Sequence, residues 1–403
     1  LQRAGEVRIE ELNLITTGNE VVNLNDFLVE LNIFEDIFSN YMYGSIYITD
    51  SRNLLNKFNI HGEELINVKL RTPSFSGNDI IKKTFKVYRI SDREIVRDSN
   101  TQNFILHFVS IELFYDILLP VFVAREGNIS DVAGALFSDF ISASKEFEIS
   151  DVDQTIKETE KVSELIVIDE TANQVKFVSP GWSPFKCINW LASKAIPKDG
   201  TAKSYLFFET NKNFYFGTVE SLFKQSYENK NYIGNYTISV SNIRDKKQEQ
   251  NVAREMFLAK DVTMTETTDY IKNYTNGYLA SRLVFLDIFN KEYKQVDYDH
   301  VDSYAKQYHS SGEGGKSRPV FSKDTARNSA ANISFYPKNP KLFSGFENNI
   351  NERMDEIHGN RKSSLLELTN IKMNITVPGR TDIEAGRMLY FNYPALGGRQ
   401  KGD

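Results

Sequence analysis

Several stretches of the 403-residue sequence bring together residues that could do chemistry. Gly312–Ser317, GEGGKS, resembles the tail of a phosphate-binding loop, whose backbone N–H groups cradle phosphate while a lysine reaches the outer oxygens. That loop needs glycine at position 310, where serine stands, and a buried strand before it and a helix after it. Polar YAKQYHSS precedes it and Pro319 follows, so a flexible loop is the better reading. Asp297–Asp302, DYDHVD, gathers three aspartates around His300 and could meet a cation. It is too short for a calcium loop and lacks the turn glycine; a strand end passing into a helix N-cap fits better. Glu35-Asp36 could be half of a hydrolase carboxylate pair, but nothing marks the other half. Cys187, the only cysteine, rules out internal disulfides and Cys-rich zinc sites. It sits in an apolar helical stretch, where a packed thiol is the expected role. His61, His107, His300, His309 and His358 show no metal-ligand spacing. The sequence therefore predicts no catalytic residue, no metal site, no cofactor and no enzyme.

The bulk properties agree with that outcome. Hydrophobic residues make up 40% of the chain and charged residues 25%, ordinary for a globular protein. A net charge of −6 argues against a nucleic-acid clamp, which would be basic. No apolar run approaches the roughly 18 residues of a membrane-spanning helix, and no signal peptide is visible, so no membrane insertion is expected.

The elements that would position any site divide the chain into blocks. Residues 1–122 read mostly as strands: FLVELNI with Phe27, Val29, Leu31 and Ile33 on one face, then GSIYITD, Ile66–Thr72, Thr84–Asp92 and Asn103–Leu113. Residues 123–204 change period. ISDVAGALFSDFISASKEF predicts a helix with Ser130 as N-cap, and SPFKCINWLASKA a helix with Ser183 as N-cap and Pro184 in its first position. SYLFFETNKNFYFGTV predicts a hairpin. TETTDYIKNYTNG reads as a short helix closed by Gly277, and ASRLVFLDIFNKEYKQVDYD as a second hairpin turning near Phe289–Lys291. His309–Ser334 is a long polar loop. Asn348–Asn370 reads as a helix with Met354 and Ile357 inward and a break at Gly359-Asn360. The chain closes in two strands, NIKMNITVP and GRMLYFNYP, turning at GRTD. Gly62–Pro73 and Gly386–Pro394 share a faint Gly-led, Pro-stopped pattern, read either as an internal repeat or as two generic strands.

One strand has an unusual outer face. From Tyr41 onward, Tyr41, Tyr43, Ser45, Tyr47 and Thr49 alternate with Met42, Gly44, Ile46 and Ile48. Tyrosine covers a large area while keeping a polar tip, which suits a surface that meets another protein. Tyr41, Tyr43 and Tyr47 are the candidate subunit-interface residues.

The same stretch carries a resemblance. Glu35-Asp36-Ile37-Phe38 followed by Gly44-Ser-Ile46-Tyr-Ile48-Thr-Asp50 resembles the first-domain signature of the central baseplate hub proteins of contractile-tailed, T-even-like bacteriophages. SPFKCINWLASKA with YLFFET, then NGYLASRLVFLDIFNKEYKQVDYD with its Gly277-Tyr-Leu-Ala-x-Arg282 and Asp287-x-x-x-Lys291-x-Tyr293 patterns, are similar to the same family in the same order. ITVPGRTDIEAGRMLYFNYP resembles its closing hairpin. The family pattern continues one strand beyond the Gly397-Gly398 loop, whereas this sequence stops at Asp403.

The resemblance implies a mainly β fold with α+β insertions, in which two similar antiparallel, tail-tube-like β-barrel domains carry two smaller inserted domains. Their expected extents are 1–122 for the first barrel and 123–204 for an α/β insertion. The second barrel takes 205–245 with 316–403, and a helix-hairpin insertion takes 246–315. It implies a virion location in the tail baseplate. A homotrimeric ring would meet the tail tube protein above, the central spike protein below and the baseplate wedge proteins, with DNA only as passing cargo. Two other readings of a β-rich, aromatic chain stay open: a carbohydrate- or receptor-binding tail module, and a tail-associated cell-wall hydrolase.

Overall fold

A computed structural model describes residues 4–73, 80–96, 101–142, 163–199, 203–228, 232–238, 255–266, 269–287, 291–309, 312–313, 333–337 and 354–392. Alternating apolar residues build one large sheet from the first block. Its strands are β1 (Arg8–Ile15), β2 (Val21–Asn23), β3 (Leu28–Phe34), β4 (Tyr43–Asp50), β5 (Leu65–Arg71), β6 (Ile80–Val96) and β7 (Thr101–Ser110). They lie in the order β2-β1-β5-β6-β7-β4-β3. Every neighbouring pair is antiparallel, and the sheet curls into a half-barrel. Leu12, Ile46, Ile48, Phe85 and Phe104 fill its inner side together with Leu54 of the one-turn helix α1 (Leu54–Lys57).

Two details of this sheet depart from the sequence pattern. Phe27, Leu31 and Ile33 pack on the core, but Val29 is exposed. A bulge between Leu28 and Glu30 admits one extra residue and turns Val29 outward. The strand expected over Asn103–Leu113 ends at Ser110, and helix α2 (Ile111–Leu118) begins there. Ile111 and Tyr115 of α2 are buried in a second core, a long-range pull that periodicity within one segment cannot show.

That second core is built by β8 (Ala124–Asn128), α3 (Ile129–Phe137), β9 (Leu165–Val167), β10 (Gln174–Val178), α4 (Pro184–Ala192), β11 (Tyr205–Glu209) and β12 (Phe214–Thr218). Helix α4 starts as the sequence indicates. The Ser183 hydroxyl accepts from Lys186 N–H and Pro184 holds the first position. Phe185, Ile188, Leu191, Ala192 and Ala195 are all buried. Ser183→Ala is expected to cost about 1 kcal/mol in a denaturant titration, the usual penalty for losing a helix N-cap. Ser130 does not cap α3. Asn128 stands at the cap, and Ser130 lies inside, where its N–H donates to Thr171 Oγ1 at 2.9 Å. The buried Thr171 contact outweighs the local capping preference of serine. The hairpin β11–β12 forms in the expected register, Tyr205 opposite Thr218. Its Phe207 and Phe214 stack at 5.8 Å inside the core of α3 and α4. β12 also pairs in parallel with β9. One core thus runs across positions 204 and 205.

After α5 (Val219–Glu228), the described strands form small sheets. They are β13 (Asn235–Ile238), β14 (Leu258–Ala259), β15 (Asp261–Glu266), β16 (Ala280–Asp287), β17 (Glu292–Asp299), β18 (Tyr308–His309), β19 (Gly312–Glu313), β20 (Ile333–Pro337), β21 (Lys372–Thr376) and β22 (Tyr390–Asn392). The helices among them are α6 (Tyr270–Thr275), α7 (His300–Tyr304) and α8 (Met354–Leu368). β16 and β17 form the second expected hairpin, Ala280 opposite Asp299 and Asp287 opposite Glu292. Asp269 caps α6, and Gly277 follows it at φ +87°.

Helix α8 does not break at Gly359-Asn360. A Cβ at Gly359 would lie 2.6 Å from Tyr298 Cβ, so the glycine marks a close approach between α8 and β17. Asn360 is buried and accepts from Lys203 N–H at 2.9 Å. The two closing strands do not pair with each other. β21 pairs antiparallel with β15, and β22 parallel with β13. Between them, residues 377–389 run as a strap. Gly5 packs against Pro378 and Gly379, Thr381 N–H reaches Thr72 Oγ1 at 3.1 Å, and Gly386 sits against Phe208. A strap with these partners cannot act as a tight turn. The two segments of the suggested repeat differ in their pairing. β5 has antiparallel partners on both sides, whereas β22 lies beside the parallel strand β13, and positions 393 and 394 of the second segment lie outside the described residues. Among the described residues, no helix is long and apolar enough to cross a membrane.

Candidate functional site

The corner between β3 and β4, residues 35–42, carries the aromatic strand outward from the sheet, and local chemistry shapes it. Asp36 Oδ1 accepts from Phe38 N–H at 2.9 Å, and Ser39 N–H closes a turn on Asp36 O at 3.0 Å. In the antiparallel register Phe34 lies opposite Tyr43. Their rings stack at 5.0 Å, and Tyr41 meets Tyr43 edge-on at 6.4 Å. Phe34 is 45% exposed, Phe38 53%, Tyr41 36% and Tyr43 42%. Four large aromatics are thus exposed at or beside one corner of the sheet. Tyr47 shares their face but is only half-exposed, two β-repeats farther along β4. The structure therefore joins Tyr41 and Tyr43 and sets Tyr47 apart. It adds Phe34, a residue visible only once the pairing register of β3 and β4 is known.

The corner is clamped from behind. Glu35 accepts from Asn211 N–H and Ala385 N–H, each at 2.8 Å, so one carboxylate ties together the β3 end, the β11–β12 turn and the strap. Burial raises the Glu35 pKa, and the two backbone hydrogen bonds oppose the shift. Asn40 donates to Phe207 O, and its side chain pairs with Asn189 of α4. Ile37 packs with Leu206, Phe208 and Val219. Deepest lies Glu209, fully buried. Its Oε2 accepts from Met42 N–H at 2.7 Å and from Ser110 Oγ at 2.6 Å, and its Oε1 meets Lys83 Nζ. Burial raises the Glu209 pKa, Lys83 opposes the shift, and the nearby Glu112 adds to it. The ammonium of Lys83 also sits 5.9 Å from the Phe214 ring centre. The aromatic corner is thus held on a rigid buried mount joining the first sheet to the second core.

The other sequence candidates resolve individually. Asp299 caps α7, accepting from Val301 N–H at 2.9 Å, and Asp297 pairs with Arg282 at 2.7 Å and 3.1 Å. His300 is buried with Nδ1 on Ser363 Oγ, and burial lowers its pKa to about 4. DYDHVD is therefore a capped strand-to-helix junction, as its sequence suggests. Cys187 is buried 3.3 Å from Ser179 Oγ, with its thiol pushed up by burial. Of GEGGKS, Gly312 and Glu313 pair with Tyr308 and His309, and positions 314–317 lie outside the described residues. Among the described residues no group of three or more His, Cys, Asp or Glu could hold a metal ion. A cleft of about 440 Å³ lies beside the strap, lined by Ile33, Met42, Ile81, Val377, Glu35 and Glu384 among others. Both Glu35 oxygens are engaged by backbone N–H groups there, a bracing arrangement.

No family model and no curated protein matches the chain. Solved structures do. A tail protein from Neisseria meningitidis MC58 aligns with a TM-score of 0.48 at 9% identity, over 95% of this chain and 86% of that one. The 43 kDa tail protein of prophage MuSo2 from Shewanella oneidensis aligns with a TM-score of 0.46 at 12% identity, over 92% and 82% of the two chains. A prophage tail protein from Listeria monocytogenes EGD-e aligns with a TM-score of 0.37 at 10% identity, over 73% and 69%.

Proposed function

We propose that the chain is a structural subunit of a phage tail, and more specifically the baseplate hub of a contractile tail. One observation carries this reading. A cluster of exposed aromatics, Phe34, Phe38, Tyr41 and Tyr43, stands on a corner braced by the buried Glu209–Lys83 pair and by Glu35. Such a mount serves assembly: it presents a rigid apolar surface whose ordering cost is already met in the folded monomer. The ordered run of hub-like motifs in the sequence supports the finer assignment. In this reading three copies close a ring between the sixfold tail tube and the threefold spike. The aromatic corner faces a neighbouring subunit, and wedge proteins meet the outside. A second tube-type domain, from 205–245 with 316–403, belongs to the reading, and much of it lies outside the described residues. DNA passes through the lumen, which would be neutral or acidic, because a basic lining would grip the duplex. No catalysis is part of the reading, in keeping with the bracing role of Glu35.

Light scattering on the full chain at micromolar concentration is expected to give a trimer, with interfaces on the order of 2,000 Å² or more. Tyr41→Glu with Tyr43→Glu is expected to give a folded monomer, since both side chains face solvent. A monomeric wild type would overturn the hub reading. A trimer that survives the double substitution would remove the aromatic corner from the interface. Specific binding on a glycan array, or clearing of cell wall in a zymogram, would favour a receptor-binding module or a hydrolase instead.

A further inference from the structure

His309 stands at the end of the segment that follows α7, and its side chain is 2% exposed. Acceptors face both of its ring nitrogens. Nδ1 lies 3.0 Å from Glu367 Oε1 on α8, and Nε2 lies 2.8 Å from the Tyr304 carbonyl. A backbone carbonyl can only accept, so Nε2 must carry a proton. The Nδ1–Oε1 contact needs a proton as well, whichever atom holds it. The pair therefore contains two protons, one more than a neutral imidazole beside a carboxylate. The Tyr304 ring stacks on the imidazole at 3.6 Å and 16°, fixing the ring plane that makes both contacts. The preceding N–H along the chain, that of Tyr308, donates to Glu220 Oε1 of α5 at 3.0 Å.

We propose that His309 and Glu367 form a two-proton clamp that fastens the segment 304–309 to α8 and releases it as the pH rises. The groups facing the ring support this. Glu367 of α8 and Glu220 of α5 are acidic neighbours that favour the extra proton. His300 of α7 opposes it only when charged, and burial keeps that ring neutral down to about pH 4. Burial by itself would lower the His309 pKa, but its hydrogen bonds to Glu367 and Tyr304 and the two acidic neighbours raise it above the ordinary 6.5. A raised value sets the sign. The clamp contributes fully below pH 6.5 and is lost as the pH climbs through the higher folded-state value. This inference stands on the core packing of α7 and α8 and is independent of how the chain assembles.

Hydrogen–deuterium exchange of the full chain tests it, reading a peptide that covers residues 300–309 at pH 6 and pH 9, with labelling times scaled for intrinsic exchange. The wild type is expected to lose protection there by about tenfold at pH 9, the effect of removing one charge-assisted hydrogen bond worth roughly 1.4 kcal/mol. His309→Gln is expected to be poorly protected at both pH values. Equal protection of the wild type at both would overturn the clamp. So would a pH dependence that persists in His309→Gln, which would assign it to other groups. Should the variant fail to fold, the wild-type ring nitrogen shifts decide, because a singly protonated His309 at pH 6 overturns the proposal.

Discussion

Replacing Lys83 with methionine is expected to destabilise the protein by about 3–5 kcal/mol, the usual cost of leaving a buried charge without its partner. Methionine keeps the length of the side chain and removes the ammonium. Glu209, wholly buried, would retain Met42 N–H and Ser110 Oγ but lose Lys83, the cation that meets it among the described residues. The pH dependence fixes the cause. Burial already lifts the Glu209 pKa, and loss of Lys83 lifts it further. A carboxyl whose folded-state value is raised favours the fold below its ordinary pKa and opposes it as the pH climbs. The deficit of Lys83→Met, measured by denaturant titration, should therefore shrink from pH 8 to pH 5. Adding Glu209→Gln should restore part of the loss at pH 8. A deficit independent of pH and unmoved by the second substitution would assign the effect to packing of the lysine stem.

Gly44→Val is expected to cost about 3 kcal/mol or more, at the upper end of what overpacking does. Gly44 lies in the middle of β4 with ordinary strand geometry, so backbone freedom is not its role. A Cβ there would fall 2.2 Å from Asn32 O and 2.4 Å from the Phe108 ring. The carbonyl belongs to the neighbouring strand β3 and the ring to the filled core, so neither can retreat without moving a strand. Because β3 and the aromatic corner ride on β4, the variant should lose assembly together with stability. Circular dichroism melting and light scattering on the same sample would show this. A variant that melts within a few degrees of the wild type would mean that β3 shifts freely and that the corner is not rigid.

Much of this architecture is legible in local pattern. Period-two alternation puts Ile46 and Ile48 inside and Tyr41 and Tyr43 outside, as the structure has them. Both hairpins, the Ser183 and Asp299 caps and the Met354–Ile357 inward face follow from residues within a few positions of one another. The failures share a different feature. Ser130 has the right type for a cap, and Gly359-Asn360 the right types for a break. Each is redirected by a partner remote in sequence, Thr171 in one case and Tyr298 with Lys203 in the other. The closing strands look like a hairpin because each has a good strand pattern, yet their edges are claimed by β15 and β13.

The sequence by itself determined most of the strand faces, the capped start of α4 and the lack of a recognisable catalytic motif. Those features depend on backbone period and on side chains reaching their own neighbourhood, which a linear reading can follow. Only the tertiary structure decided that Phe34 joins the tyrosines, that Glu35 braces three segments, and that Glu209 finds Lys83 across 126 positions of chain. A carboxylate in solvent and one in a core are the same letter. What distinguishes them is desolvation and the partners that compensate it, and these exist only once distant strands have been brought together.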